Sequence, residues 1–138
     1  MSTKWIVVET KVNASPAHVW HLWTAAEHIV KWNAASDDWH TPTASNDLQV
    51  GGTFVYHMAA RDGSVGFDFT GTYERVEELE SIAYVMEDGR KVEIEFATEA
   101  DGVCVTERFE PETVHAEDLQ QAGWQAILNR FKAYAEAY

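Results

Sequence analysis

The sequence predicts an α+β domain in which one long C-terminal helix packs across an antiparallel sheet of about six or seven strands. Three observations carry this. Asp62-Gly63, Asp88-Gly89 and Asp101-Gly102 each sit between segments of alternating apolar and polar residues, and Asp-Gly marks hairpins because both residues tolerate positive φ. The stretch from Ala116 to Tyr138 has no proline and repeats Leu119, Trp124, Ile127, Leu128, Phe131 and Tyr134 at helical intervals. Between the first strand and the first hairpin, Ser15-Pro16 supplies a capping hydroxyl followed by a proline suited to the first helical position.

The elements follow in order. Lys4 to Val12 alternates Ile6, Val8 and Val12 against Glu9 and Lys11, a first strand. A short helix from Pro16 turns Val19, Trp20 and Trp23 inward. Thr24-Ala25-Ala26-Glu27 has the spacing of a capping box, so a second short helix is expected to start there, with Ile29 and Trp32 inward. Asn33 to Val50 is the least patterned part, with a short edge strand around Thr43 to Asp47. A loop this long reads as functional or mobile, and Gly51-Gly52 ends it in a sharp turn. Strands are then expected at Thr53–Ala60, Val65–Glu77, Ile82–Glu87, Lys91–Thr98 and Val103–Glu110. The whole chain, residues 1–138, reads as one domain.

Alternation divides the sheet into two faces. Phe54, Tyr56, Met58, Val65, Phe67, Phe69, Tyr73, Ile82, Tyr84, Met86, Val92, Ile94, Phe96, Val103, Val105 and Phe109 share one parity and are expected to face the helix. His57, Asp68, Thr70, Thr72, Lys91, Glu93, Glu95, Thr106 and Arg108 face solvent. Glu107 has the inward parity, where a carboxylate is costly unless paired or protonated. Either the strand end is frayed or bulged and Glu107 reaches water, or it is a polar group inside a cavity, paired with a tyrosine hydroxyl or a ligand.

On the long helix, Asp118, Gln121, Gln125, Asn129, Lys132 and Glu136 fall opposite the apolar arc. Gln125→Ala is therefore expected to change stability by less than about 0.5 kcal/mol. Ile127→Ala, at the centre of the arc, is expected to cost ~2–5 kcal/mol.

Composition narrows the function classes. Ten basic against 23 acidic residues give a net charge of −13. That disfavours nucleic acid, which needs a basic patch, and anionic membrane surfaces. No apolar run is long enough to insert in a bilayer, and no signal-peptide core precedes the first strand. Cys104 is the single cysteine, so no intrachain disulfide forms and a reducing, cytoplasmic setting is expected. Monomer and homodimer both stay open. Six tryptophans either fill a large core or line a ligand pocket.

Signatures of catalysis are missing: no P-loop, dinucleotide fingerprint, nucleophile elbow or His-Glu-x-x-His. His18, His21 and His28 lack a matching cysteine or carboxylate cluster, so no metal site is expected. Asp37, Asp38 and His40 read as a solvated acidic loop. No cofactor is implied, and no catalytic residue is assigned.

Gly51-Gly52-Thr53-Phe54, Arg61-Asp62-Gly63-Ser64, Gly71-Thr72-Tyr73, Asp88-Gly89-Arg90, Glu107-Arg108-Phe109-Glu110-Pro111-Glu112 and Gly123-Trp124-Gln125-Ala126-Ile127-Leu128 together give the chain a resemblance. In order and spacing it resembles the SRPBCC (START-like) superfamily, in the branch named for the activator of the heat-shock-protein-90 ATPase. The resemblance implies a helix-grip fold, like that of START domains and the major birch pollen allergen. In that fold a curved sheet wraps the C-terminal helix around an apolar cavity. Gln49 departs from the pattern, standing where many members carry arginine before Gly-Gly. The chaperone activator has a further N-terminal domain, so a co-chaperone role is not expected of this single domain.

The leading expectation is a binding module for a small hydrophobic or amphipathic molecule. Its site would combine Trp32, Tyr56, Met58, Phe69, Tyr84, Met86, Glu107, Gln120, Trp124 and Ile127, with the Asn33–Val50 segment as a movable entrance. The alternatives are an enzyme of the polyketide cyclase or aromatase type and a chaperone-related, stress-response interaction module using the acidic exterior.

Overall fold

The computed structural model describes residues 5–138. Lys4, the expected start of the first strand, lies outside them. Seven strands form a single antiparallel sheet: β1 (Ile6–Val12), β2 (Trp39–Asn46), β3 (Thr53–Ala60), β4 (Gly66–Glu77), β5 (Ser81–Met86), β6 (Lys91–Glu99) and β7 (Gly102–Phe109). Their order across the sheet is β1-β7-β6-β5-β4-β3-β2, so β2 to β7 form a meander and β1 closes on β7. Helices α1 (Pro16–Thr24) and α2 (Ala26–Trp32) follow β1, and α3 (Glu117–Ala137) follows β7. The sheet curls into a half-barrel around α3, as a helix-grip fold requires.

Local chemistry accounts for most boundaries. The Ser15 hydroxyl oxygen accepts from the His18 amide at 3.2 Å, and Pro16 occupies the first turn of α1. The expected capping box of α2 does not form. Thr24 is the last residue of α1 and its hydroxyl donates back to the Trp20 carbonyl, which leaves Ala25 as an N-cap without a side-chain bond.

The Asn33–Val50 segment is also more ordered than its sequence suggests. Trp39–Asn46 forms the full edge strand β2. Its register against β3 shifts between His40 and Thr43. That irregularity, with Pro42 beside it, breaks the alternation by which a strand is recognised. A second irregularity, between Tyr73 and Arg75 in β4, reverses parity, so that Tyr73 and Val76 both pack toward the core.

The polar side of α3 is not simply solvated. Gln121 and Gln125 donate through Nε2 to the Val7 and Glu9 carbonyls at 3.1 Å each, and Lys132 Nζ donates to the Lys11 carbonyl at 2.6 Å. Glu136 accepts from the Asn13 amide at 2.8 Å. Every second carbonyl of β1, on the edge that has no strand partner, is thus taken up by a side chain of α3. The expectation for Gln125 is corrected accordingly: Gln125→Ala should cost about 1 kcal/mol, the usual net worth of such a bond. Urea denaturation checks this, and an unchanged midpoint would show that water replaces the contact without loss.

The apolar side of α3 also differs in detail. Leu119 is 60 % exposed, and the buried positions are Gln120, Leu128, Phe131 and Ala135. Trp124 and Ile127 are only partly buried, because they border a cavity.

Candidate ligand cavity

Helix α3 is hooked to β1 at one edge of the sheet and packs on α1 and α2. It stands away from β3 and β4, whose inward residues include Tyr56, Met58, Phe67, Phe69 and Tyr73. The space left is a cavity of about 200 Å³. Trp23, Trp32 and Asn33 wall it on the side of the short helices, and Trp124 and Ile127 on the side of α3. The sheet contributes Tyr56, Met58, Phe67, Phe69, Tyr73, Ile82, Tyr84, Ile94 and Glu107.

Ring contacts hold these walls in place. Trp23 and Trp32 lie 5.0 Å apart, and each meets Phe131 edge-on, at 4.8 and 4.9 Å. Trp124 stacks on Phe109 at 3.9 Å. Phe54 packs against Tyr56, Phe69, Tyr73 and Tyr84. Gly71 permits this close layer, since a Cβ there would come within 2.6 Å of the Phe54 ring.

Phe67 is 49 % exposed, and the Trp39 ring lies 6.1 Å from it. The segment after Asn33 is pinned from two sides: Arg130 meets the Asp37 carboxylate at 2.7 Å, and Arg61 Nε donates to the Asp37 carbonyl at 2.8 Å. The Arg130 guanidinium holds the Asp37 carboxyl below its ordinary range. The expected solvated acidic loop is therefore tied to α3 and to the β3–β4 turn.

Glu107 is the one acidic group in this lining. Its strand is regular, with Glu107 opposite Val8 on one side and Ile94 on the other, so no bulge turns it to water. It is 7 % exposed, and among the described residues no hydrogen bond or ion pair forms at its carboxyl. Burial alone pushes the carboxyl from 4.5 up to about 8. Burial also raises Tyr84 and Tyr56 well above their ordinary value, with the Glu107 charge adding to both. At neutral pH the three groups are therefore mainly protonated hydrogen-bond donors. Tyr73 donates to Asn46 at 2.5 Å, and Asn46 donates to the Thr24 carbonyl at 2.7 Å. This chain ties Tyr73 to the end of α1.

Eight of the ten residues chosen from the sequence meet here: Trp32, Tyr56, Met58, Phe69, Tyr84, Glu107, Trp124 and Ile127. Met86 and Gln120 do not. Met86 is buried within the core beside Gly71. Gln120 instead ties down the β7–α3 connection, accepting from the Glu112 amide and donating to the Glu112 and His115 carbonyls. Phe67, Tyr73, Ile82 and Ile94 carried the inward parity and could have been added from sequence, as could Trp23. Nothing in the sequence marked Asn33.

Comparisons with known proteins agree with this architecture. Residues 13–136 match the family described as activator of Hsp90 ATPase homolog 1-like protein. A solution structure of an AHSA1-like protein from Aeromonas hydrophila is 50 % identical, with a TM-score of 0.92 over 97 % of this chain and 93 % of that one. A Cytophaga hutchinsonii protein is 49 % identical, with a TM-score of 0.84 over 96 % and 92 %. A crystal structure from Nitrosomonas europaea has the same fold at 18 % identity, with a TM-score of 0.84 over 96 % and 94 %. No curated protein matches the chain. No helix among the described residues is long and apolar enough to cross a membrane. With the family match spanning nearly its whole length, the chain belongs to the activator of Hsp90 ATPase homolog 1-like family.

Proposed function

We propose that this chain is a binding module that encloses a small hydrophobic or amphipathic molecule between α3 and the sheet, with Glu107 holding the molecule's polar end. One observation supports the reading above the others: a buried carboxyl that no protein group satisfies faces an apolar, aromatic-lined cavity. An apolar cavity of ~150 Å³ admits benzene, so about 200 Å³ suits a compound of one or two rings. Protonated Glu107 would donate to a carbonyl or hydroxyl oxygen of such a ligand, and the rings around it would supply apolar contact.

A bicyclic aromatic ketone and its parent hydrocarbon make the test pair. The ketone should bind one per chain in the micromolar range, about −8 kcal/mol, and quench Trp124 or Trp32 fluorescence. Its advantage over the hydrocarbon should vanish in Glu107→Leu. Met58→Trp should fill the cavity and abolish binding while the protein stays folded. Equal affinities for the pair in the unmodified protein would remove Glu107 from the reading, and no saturable binding of either would sink it.

A cyclase-type enzyme is the second reading, because a carboxyl poised near 8 is suited to proton transfer. It requires that a bound compound be recovered chemically changed, whereas the binding reading requires it unchanged. A chaperone-related interaction rests on the family's name and the acidic exterior alone.

A further inference from the structure

Away from the cavity, the two short helices meet at a corner where three side chains with metal-binding atoms converge. His21 lies in the last turn of α1, and Glu27 and His28 lie in the first turn of α2. One ligand atom from each falls within 4.8 Å of the others. We propose that His21, Glu27 and His28 form a binding site for a borderline divalent transition ion of the Zn²⁺ class.

The donor set suits that class. Two imidazole nitrogens and one carboxylate oxygen make a common three-ligand zinc set that leaves one position open. Mg²⁺ and Ca²⁺ favour all-oxygen sites and are disfavoured by the two imidazoles.

The surroundings of His28 strengthen the case. His28 is 7 % exposed, and its Nδ1 lies 2.7 Å from the Tyr134 hydroxyl on α3. The Tyr138 and His21 rings also pack against its ring, at 4.7 and 5.1 Å. One ring nitrogen is thus held by a partner while the other stays available. This is how a metal-ligating histidine is oriented, and loss of such a partner typically weakens metal binding about 10–100-fold. His21 and Glu27 are exposed, and among the described residues neither side chain is held by a hydrogen bond or ion pair. Both can rotate from the present spacing to the roughly 3.4 Å that metal bonds of about 2.0–2.1 Å require. The site is a fixed buried ligand with two adjustable outer ones. An ion there would join α1 to α2 and, through Tyr134, to the end of α3.

His18 belongs to the same helix but takes another role. Its Nε2 lies 3.0 Å from the Ala135 carbonyl, so it ties α1 to α3.

The test uses the full chain stripped with a chelator and titrated with ZnCl₂ by calorimetry and with Co²⁺ by visible absorbance. One ion per chain should bind in the micromolar range, and Co²⁺ should show tetrahedral absorption bands. His21→Ala and Glu27→Gln are surface changes that should preserve the unfolding midpoint of the metal-free protein. Each should weaken binding at least about tenfold, and Tyr134→Phe should do so by about tenfold. Absence of saturable binding below ~100 µM would overturn the proposal. So would an affinity unchanged in both His21→Ala and Glu27→Gln, which would place any bound ion elsewhere.

Discussion

Phe131→Ala is expected to lower the unfolding free energy by ~3–5 kcal/mol, the largest single-residue effect foreseen for α3. The ring is fully buried and takes the edges of both Trp23 and Trp32. Trp32 is not free to collapse into the hole, since its Nε1 donates to the Leu22 carbonyl at 3.0 Å. The cavity term should therefore be close to its maximum. Ile127→Ala makes the contrast. The helical pattern alone expected a full core penalty there, but Ile127 already borders empty space, so about 1 kcal/mol is the revised expectation. Urea denaturation of both variants decides it, and equal midpoints would overturn this placement of the helix.

The second large effect is a pH dependence centred on Glu107. Its folded-state value of about 8 lies above its ordinary 4.5. Below 4.5 both folded and unfolded chains keep the proton, and no penalty arises. Between 4.5 and 8 the unfolded chain releases the proton and the folded chain retains it, so stability falls as pH rises. Above 8 the charge is buried and the penalty is complete. At about 1.4 kcal/mol per unit, the loss is several kcal/mol in order of magnitude. Glu107→Gln keeps the shape and removes the titration. It should match the unmodified protein near pH 4 and exceed its stability at pH 8.5 by ~2–4 kcal/mol. Asp37, Asp62, Asp88 and Asp101, all held below their ordinary values, act in the opposite sense at acid pH. They are common to both proteins and cancel in the difference. Parallel pH curves would mean that Glu107 finds a partner or water in solution.

The fold was legible in the sequence because its signals are local. Asp-Gly turns and period-two alternation located β3 to β7 within a residue or so, and the proline-free C-terminal pattern located α3. The failures arose where a local rule met a tertiary competitor. Thr24 reads as a cap, yet its hydroxyl prefers the carbonyl of the turn before it. Gln125 reads as solvated, yet an unpaired strand edge lies opposite it. Strand β2 was partly hidden by its own irregular register and by Pro42.

The same logic separates the site residues. Parity placed Tyr56, Phe69, Tyr84 and Glu107 on the correct face, because alternation is a property of the strand itself. It could not tell Met86, packed into core, from Tyr84, bordering open space, since that depends on where α3 stands off. Gln120 has helical spacing toward the cavity but is taken up by the backbone of the loop before it.

The closure of β1 against β7 and α3 sets the order in which the molecule can assemble. Ile6 pairs with Phe109, and Gln125 reaches back 116 residues to Glu9. At synthesis rates of about 5–20 residues per second, the first strand waits on the order of 5–20 s for its partner to be made. The β3–β6 hairpins can form during that delay, and the tyrosine-rich floor of the cavity with them. The wall provided by Trp124 and Ile127 comes only with the final helix. Contacts this distant in sequence also favour slow folding after release. The aromatic floor is therefore laid down first, and its enclosure by α3 is the last event of folding.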